Sequence, residues 1–468
     1  MKRLSLIFNL LLLIVIKSFV GCAHYEENPI DAEQSMINFE ARSLSDAGLI
    51  EFIEKKTIIK TENGILPSWN LELLTCVAFY YHPELEEARA RLALAEAGEI
   101  LAGQRPNPIL TAIPFYNSST GVPTPWIVTS FLNIPLETAG KRSKRLARAG
   151  HLSEAEQLNL ATVTWDIRAR LRQALLGLWS AEQFESLVEA QYKMQSDLVR
   201  IMEARLDAGD VADNVVIRSR IALEKSRLAY LDAGNRTTTA RAKLASALGV
   251  PVSALNGVEF AFDEFAGPLR ELPVEQARRH ALMNRTDILA SLAEYAAAES
   301  ALQLEIAKQY PNIDLQPNYK YDQGDNEWGL GAFFELPLFH QNQGSIAIAE
   351  ANRTAQAAKF TALQARVVGE IEAALADYNM ARAKLDTTAK TLELLDKQIH
   401  QLQAMFKAGE LTRLAVVNAQ VEKIDAELML LEVKSKAQEA LGQLEKTLQF
   451  PSKFVTPKQM SSISRRYQ

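Results

Sequence analysis

The heptapeptide RLDAGDV at residues 205–211 returns as MFKAGEL at residues 405–411. The tetrapeptides LGVP at 248–251 and LQFP at 448–451 keep the same spacing. A repeat of this length exceeds the period of about 20–50 residues found in solenoids. The chain is therefore predicted to contain one structural unit twice.

On either side of these heptapeptides, the sequence indicates long helices. No proline lies between Pro135 and Pro251 or between Pro337 and Pro451, and both windows are rich in good helix formers. Apolar residues in the second window step by three and four, as in coiled coils: Leu414, Val417, Val421, Ile424, Leu428 and Leu431.

A glycine interrupts each window at the repeated heptapeptide. Gly209 and Gly409 are predicted to end the first helix of each window, because glycine after a helical run is a common C-terminal stop. The result is a helical hairpin with unequal arms in each unit. These helical hairpins are predicted over 140–248 and 343–448.

Before each helical hairpin the pattern changes to alternation. Residues 313–322 and 328–339 place apolar side chains on one face, and the polar stretch DQGDNE at 322–327 is predicted to be the loop between them. A β-hairpin is predicted over 312–339, with a weaker counterpart over 107–137.

The second β-hairpin has the composition of a membrane-spanning one. Apolar residues face outward and polar residues inward, with Tyr319, Tyr321 and Trp328 near one end as a membrane aromatic belt. The alternative is a soluble hairpin with one wet face. In lipid, four strands cannot close a barrel, and open edges leave backbone groups unpaired. Closure needs two chains with eight strands or three chains with twelve.

The N-terminus is predicted to be a lipoprotein signal peptide. Lys2 and Arg3 precede an apolar core at 4–16, too short to span a membrane and typical of a secretory signal. The following FVGC resembles a lipobox, which makes Cys22 the acylated first residue; an ordinary signal peptide is the alternative. The predicted segments are signal 1–21, arm 22–67, first repeat 68–250, linker 251–272, second repeat 273–451 and tail 452–468.

The composition disfavours several functional classes. A formal net charge of −6 argues against nucleic-acid binding. The six histidines and two cysteines are not clustered, so no metal site and no cofactor are predicted. Cys76 is expected to be a small buried hydrophobic residue. No catalytic residue is predicted, since His82 and His280 have no nucleophile beside them and lie near a helix start or on a polar helical face.

The order helix, strand pair, long helix and short helix, present twice over about 68–451, resembles the TolC-like outer membrane efflux family. So do the strand-to-helix transitions NIPLETAGKR at 133–142 and ELPLFHQNQG at 335–344. The resemblance implies a mainly α protein with a transmembrane β part. Its homotrimer would form a 12-stranded β-barrel in the outer membrane, continued by a periplasmic α-helical barrel. It also implies docking to a periplasmic adaptor (membrane fusion) protein and an inner-membrane pump.

Within that family, residues 82–98 and 136–149 are most similar to the heavy-metal branch, the CzcC-like exit ducts. The resulting hypothesis is a passive, lipid-anchored exit duct for heavy-metal cations. A multidrug or type I secretion duct of the same fold is an alternative. A lipid-anchored periplasmic coiled-coil scaffold is an alternative from another class.

The helical hairpin tips supply the candidate site residues. Ala208, Gly209, Ala408 and Gly409 lack bulk and are predicted to allow close approach of an adaptor helix. The stretch 415–419 lacks the two aspartates that ring the aperture in well-known family members. The aperture and gate candidates are instead Asp207, Asp210, Asp213, Glu410 and Arg413. Helix capping and solvation of the helix ends are the alternative roles for these charges.

Overall fold

The computed structural model describes residues 24–56, 68–119, 121, 124–269 and 274–450. The predicted signal peptide, Cys22 and the tail 452–468 lie outside these residues. The chain divides into two units, with the boundary between Ser43 and Leu44. The first unit contains helix α1 (Ala32–Glu40), whose first turn is capped by the side chain of Asp31.

The second unit begins with α2 (Ala47–Lys56) and then has one run of elements twice. The first run is α3 (Leu71–Tyr81), α4 (Pro83–Gly103), β1 (Ile109–Tyr116), β2 (Trp126–Leu136), α5 (Lys141–Asp207) and α6 (Asp213–Leu248). A 3-10 turn (Val252–Leu255) and α7 (Asp263–Ala266) follow. The second run is α8 (Val274–Asn284), α9 (Thr286–Ala307), β3 (Ile313–Asp322), β4 (Asp325–Phe333), α10 (Gln343–Lys407) and α11 (Arg413–Leu448).

The two arms of each helical hairpin differ strongly in length. Helices α5 and α10 contain 67 and 65 residues, whereas α6 and α11 contain 36 each. At about 1.5 Å per residue the long arms extend roughly 100 Å. Val417, Ile424 and Leu431 are buried at a spacing of seven residues, so the predicted coiled-coil pattern describes the packing face of α11.

Each repeat opens with two helices, where one was predicted. In the first repeat, Pro83 starts α4 because it cannot extend α3, and the His82 Nδ1 atom accepts a hydrogen bond from the Glu84 backbone N–H. In the second repeat, the break lies at Arg285, and the Gln449 Oε1 atom accepts a hydrogen bond from the first backbone N–H of α9 at 2.8 Å. A side chain from the end of the repeat therefore caps the helix at its beginning.

The four strands form one antiparallel sheet in the order β1-β2-β3-β4. Strands β2 and β3 join the two repeats, with Cα partners running from Ile127 and Asp322 to Leu136 and Ile313. Within the part of the chain that the structure describes, β1 and β4 each pair with a strand on one side only. Both edges of the sheet are therefore open in a single chain.

The predicted six-residue loop at 322–327 is wrong. Strands β3 and β4 are joined by Gln323 and Gly324 alone, with φ angles of 49° and 121°. Positive φ at both central positions matches the twist of a two-residue hairpin turn. The polar residues Asp325 to Glu327 continue the strand pairing, because their backbone groups pair with β3 regardless of side-chain polarity.

The predicted β-hairpin end at 339 is also wrong. Strand β4 ends at Phe333, whose Cα partner is Asp314. Strand β3 begins only one residue earlier, at Ile313, so residues beyond Phe333 have almost no partner strand left. Leu336, expected on the apolar face of the strand, lies past its end.

The described residues include two apolar core clusters. The first includes fully buried side chains of α2, α3, α5 and α6. Leu255 and Phe265, from the predicted linker 251–272, belong to this cluster. These two residues of the predicted linker therefore pack into the core. The second cluster joins α8 and α9 to α10 and α11, around Val367 and Ile371.

Candidate functional site

The two helical hairpin tips have the same backbone construction. At the first tip, the Gly209 N–H donates to the Leu206 carbonyl at 2.9 Å and the Asp210 N–H donates to the Arg205 carbonyl at 2.8 Å. Together with φ of 78° at Gly209, this is a Schellman C-cap. The predicted glycine stop is confirmed here.

The second tip repeats this geometry bond for bond. The Gly409 N–H donates to the Phe406 carbonyl and the Glu410 N–H donates to the Met405 carbonyl, both at 3.0 Å. Gly409 has φ of 80°. The duplicated sequence therefore encodes two tips of one shape.

The tips differ in charge. Asp207, Asp210 and Asp213 are exposed at the first tip. Among the described residues, the positive charge paired with them is Arg205, whose Nε lies 3.9 Å from an Asp210 carboxylate oxygen. Exposed residues at the second tip include Lys407, Glu410 and Arg413. The three candidate acids of the first tip therefore lie on one hairpin. The other two gate candidates, Glu410 and Arg413, lie on the second hairpin.

Among these charges, two lie at helix starts. Asp213 is the first residue of α6, where a carboxylate interacts favourably with the helix dipole. Arg413 is the first residue of α11, where a positive charge does not. The helix dipole therefore accounts for the charge of Asp213 and not for that of Arg413. Ala208 and Ala408 are exposed beside the glycines, and their contact with an adaptor stays a prediction.

The strand register assigns every sheet residue to one of two faces. Tyr319 pairs with Trp328 on one side and with Ser130 on the other, and Leu315 pairs with Ala332. The face that contains these residues, here called the apolar face, also includes apolar residues from all four strands: Leu110, Pro114, Leu132, Ile134, Ile313 and Leu330.

The opposite face is polar in one half only. In β3 and β4 it presents Asp314, Gln316, Asn318, Lys320 and Glu327, as expected for an inward face. In β1 and β2 it presents mainly apolar residues: Ile109, Ile113, Phe115, Ile127 and Phe131. The expectation of polar residues inward thus describes the second repeat and not the first, because β1 and β2 are apolar on both faces.

Near the strand-connecting turns, the apolar face has more aromatic residues than the three predicted belt members, and their place at a membrane boundary stays a prediction. Tyr319 and Trp328 pack with ring centroids 4.7 Å apart, and Tyr321 lies on the same face. Tyr116 and Trp126 form a second pair on this face at 5.2 Å. This pair was not predicted from the sequence, although Tyr116 is the last residue of β1 and Trp126 the first of β2.

A buried charge cluster was also missed. Arg172, on α5, is 3% exposed. Its guanidinium donates hydrogen bonds to Gln438 on α11, and its Nε lies 3.5 Å from carboxylate oxygens of Glu264 and Glu445. A lone arginine on a long helix gives no sequence signal of burial, because its partners are far away in the chain.

The two histidines considered for catalysis, and Cys76, make capping or packing contacts. His82 caps α4, and burial lowers its pKa; burial also lowers the pKa of His280, which packs edge-on against Phe450. Half-buried Cys76 packs against the first core cluster, and burial raises the pKa of its thiol to about 11. Within the described ranges, no three His, Cys, Asp or Glu side chains are grouped to hold a metal ion. None of the described helices combines the length and apolarity that crossing a membrane requires.

Comparison with known proteins relates both repeats to one family. The family model described as outer membrane efflux protein matches residues 79–250 and 277–448, which together exceed half of the chain. The two matched segments correspond to the two runs of elements. Their separation falls at the segment that includes α7.

Individual relatives agree with this assignment. The chain is 25% identical over 373 residues to the cobalt-zinc-cadmium resistance protein CzcC of Cupriavidus metallidurans, covering 78% of this chain and 86% of that protein. It is 25% identical over 285 residues to the pyoverdine export outer membrane protein OpmQ of Pseudomonas aeruginosa, covering 57% and 58%. The outer membrane channel CmeC of Campylobacter jejuni has the same fold, with a TM-score of 0.66, 15% identity and coverage of 95% and 99%. The chain therefore belongs to the outer membrane efflux protein family and is an outer-membrane efflux duct rather than an enzyme.

Proposed function

We propose that three copies of this chain assemble into a passive exit duct that conducts cargo from the periplasm to the exterior. Channels of the family are trimeric and work with a periplasmic adaptor and an inner-membrane pump. In this proposal the twelve strands form the outer-membrane barrel and the helical hairpins form its periplasmic extension. The pump supplies the energy, and the duct supplies a water-filled path.

The observation that supports the proposal best is the open sheet. In the described part of the chain, β1 and β4 each have one unpaired edge, and all four strands contribute to the apolar face. Unpaired strand edges are unfavourable in lipid, so β1 of one copy must pair with β4 of another. Twelve strands leave an interior wider than side chains can fill, whereas eight do not.

The apolar face and its aromatic residues support one orientation of the sheet in the membrane. Residues of this face would contact lipid, and the belt of Tyr116, Trp126, Tyr319, Tyr321 and Trp328 would lie at one membrane boundary. That boundary is the one away from the helices, since the belt residues flank the two strand-connecting turns. Acylation of Cys22 would add a second attachment to the outer membrane.

The tips would form the periplasmic rim. Their equal backbone geometry and opposite charge give the rim two kinds of position, one acidic and one with a basic excess. We assign adaptor contact to Ala208, Gly209, Ala408 and Gly409. The gate would include Asp207, Asp210, Asp213, Glu410 and Arg413, and opening requires the hairpins to move apart.

The cargo is the most specific part of the proposal. Heavy-metal cations are favoured by the similarity to CzcC over most of both chains. The acidic first tip would concentrate cations by the same electrostatics as charged rings in channels. An organic cargo of the kind named for OpmQ is the alternative.

Two measurements test the duct. Outer membranes extracted with detergent are expected to yield a trimer that resists unboiled gel electrophoresis and dissociates on heating. The purified trimer should conduct ions in planar bilayers with a preference for cations. A monomer released without detergent would support the scaffold instead, and an anion-selective pore would contradict the acidic entrance.

A further inference from the structure

The membrane-side end of α5 has an unusual charge distribution. Its first ten residues include five basic and no acidic side chains: Lys141, Arg142, Lys144, Arg145 and Arg148. Positive charge at a helix N-terminus opposes the helix dipole. The equivalent ten residues of α10, 343–352, have no Lys or Arg. The feature is therefore specific to the first repeat.

Two of these five residues have an internal role. Arg142 and Arg145 donate hydrogen bonds to the carbonyls of Gly103 and Ala102 at the end of α4, at 2.7 and 2.9 Å. Arg145 also pairs with Glu137 at 2.7 Å. These contacts satisfy the last carbonyls of α4, as basic side chains commonly do.

Within the described residues the other three form no ion pair, although the carboxylate of Glu305 interacts electrostatically with Arg148. The Lys141 ammonium is buried and donates to the Tyr310 carbonyl and the Asn312 side chain, both at 2.6 Å. Lys144 donates to the Gln303 side chain at 2.7 Å. Arg148 is exposed. Burial lowers the pKa of Lys141, Glu137 opposes this effect, and the positive charge of Lys308 adds to it.

An apolar cavity of about 610 Å³ lies beside the residues that immediately precede α5. Its lining consists of Thr138, Ala139, Tyr310, Pro311, Ile313 and Phe334. Ile313 belongs to the apolar face of the sheet, and Tyr310 is the residue whose carbonyl binds Lys141. The cavity therefore joins the lipid-facing side of the strands to the basic end of α5.

From this juxtaposition we propose that the cavity binds an anionic glycerophospholipid of the periplasmic leaflet. One acyl chain occupies the apolar cavity, and the headgroup phosphate lies against Lys141, Lys144, Arg148 and Lys308, the last of which also pairs with Glu305 at 2.7 Å. The inference rests on the proposed function, since it requires the apolar face to lie in lipid. Lipid is the occupant that the continuity with that face selects, and its negative charge complements the basic group.

The experiment measures lipid retention by the delipidated trimer. Equal amounts of dioleoylphosphatidylglycerol and dioleoylphosphatidylcholine are added back, and bound lipid is counted by native mass spectrometry. The wild-type trimer should retain the anionic lipid with a preference of about tenfold or more, as three to four basic residues provide. The triple variant K144Q/R148Q/K308Q should lose this preference, and Ile313→Trp should lower retention by filling the cavity.

The controls separate the possible sources of binding. Lys141 is left unchanged because it holds Tyr310, and Lys193→Gln, an exposed lysine far along α5, should retain the preference. Equal retention of both lipids by the wild type, or an unchanged preference in the triple variant, would overturn the lipid site. Displacement of the lipid by excess inorganic phosphate would also overturn it, by showing a free-phosphate site.

The proposed duct can fail separately. Outer-membrane fractionation and bilayer conductance are measured on the same preparation. A conducting outer-membrane trimer with no lipid preference contradicts the lipid site alone. A chain that does not insert into the outer membrane contradicts both.

Discussion

Arg172 and Gln438 fasten the first repeat to the second. The Arg172 guanidinium donates to the Gln438 backbone carbonyl at 2.8 Å and to its side-chain Oε1 at 3.0 Å. Both residues are almost fully buried. Since Arg172 lies on α5 and Gln438 on α11, this contact holds the long helix of one repeat against the short helix of the other.

Replacing Arg172 by Ala should be strongly destabilising. The substitution removes a buried cation that lies beside the carboxylates of Glu264 and Glu445. Breaking such a buried pair costs about 3–5 kcal/mol, measurable by urea unfolding of the trimer in detergent. The matched control is Arg200→Ala, an exposed ion pair with Asp197 whose loss should cost at most about 1 kcal/mol. Similar losses of unfolding free energy in the two variants would contradict a stabilising role of the buried Arg172 contacts.

Because Gly442 has no side chain, the Arg172 guanidinium can occupy the space beside it. A methyl group at this position would overlap the Arg172 Nη1 atom, which the hydrogen bonds to Gln438 hold in place. Gly442→Ala should therefore destabilise by about 1–3 kcal/mol. Gly369→Ala, in α10 with no atom within 4 Å of the added carbon, should be neutral or stabilise by about 0.5–1 kcal/mol.

A double variant tests the cause. When Arg172 is already Ala, adding Gly442→Ala should cost little. An unchanged cost would mean that some other neighbour opposes the methyl group.

Mild acid should weaken the fold through two histidines. Burial lowers the pKa of both His82 and His280 below the ordinary value of 6.5. As the pH falls through 6.5 the unfolded chain binds more protons than the folded one, so stability decreases until the folded histidines also titrate. The variant H82N/H280Q, in which Asn can still cap α4, should lose less stability on acidification. Thermal midpoints at several pH values check this, and parallel curves would contradict it.

The two tip glycines should tolerate little substitution despite open space around them. Gly209 and Gly409 have φ of 78° and 80°, and a Cβ at either would meet no atom within 4 Å. Left-handed backbone costs other residues about 1–2 kcal/mol. Gly209→Ala and Gly409→Ala should therefore speed hydrogen exchange at the Asp210 and Glu410 amides, which close the C-caps. Asn should do so less than Ala, because it tolerates this conformation.

A glycine inside a helix provides the control for the two tip glycines. Gly177→Ala lies within α5, also with no atom nearby, and should slow or leave unchanged the local exchange. Equal protection in all variants would show that the left-handed geometry is not required at the tips.

The sequence was sufficient for the architecture because its signals are local and repeated. Proline-free windows, a glycine stop and heptad spacing determine helical hairpins without reference to distant residues. The strand boundaries were less predictable. The end of β4 at Phe333 depends on where β3 begins, and the polar residues Asp325 to Glu327 pair through the backbone alone.

Long-range contacts explain what was missed at the candidate sites. Arg172, Glu264 and Gln438 are far apart in sequence, so no spacing rule connects them. The cavity beside Ile313 likewise exists only because the end of α9 meets the start of α5. The tip charges were recognisable as a group, since they are close in sequence.

The two faces of β2 provide the sharpest test of membrane insertion. Ser130 lies on the apolar face, paired with Tyr319, whereas its neighbour Thr129 lies on the opposite face, paired with Lys320. An arginine on the lipid-facing side of a barrel costs about 2–4 kcal/mol at the bilayer midplane, and one on the interior side is tolerated.

Ser130→Arg should therefore reduce the heat-modifiable trimer in outer membranes, and Thr129→Arg should leave its amount unchanged. Thr129→Arg should also shift the pore toward anions, because the added charge faces the conducted ions. The two residues are adjacent, small and polar, and both receive arginine, so the face they occupy is the main difference between the variants. The reverse result would place the apolar face inside the barrel, and equal effects would mean that neither face contacts lipid.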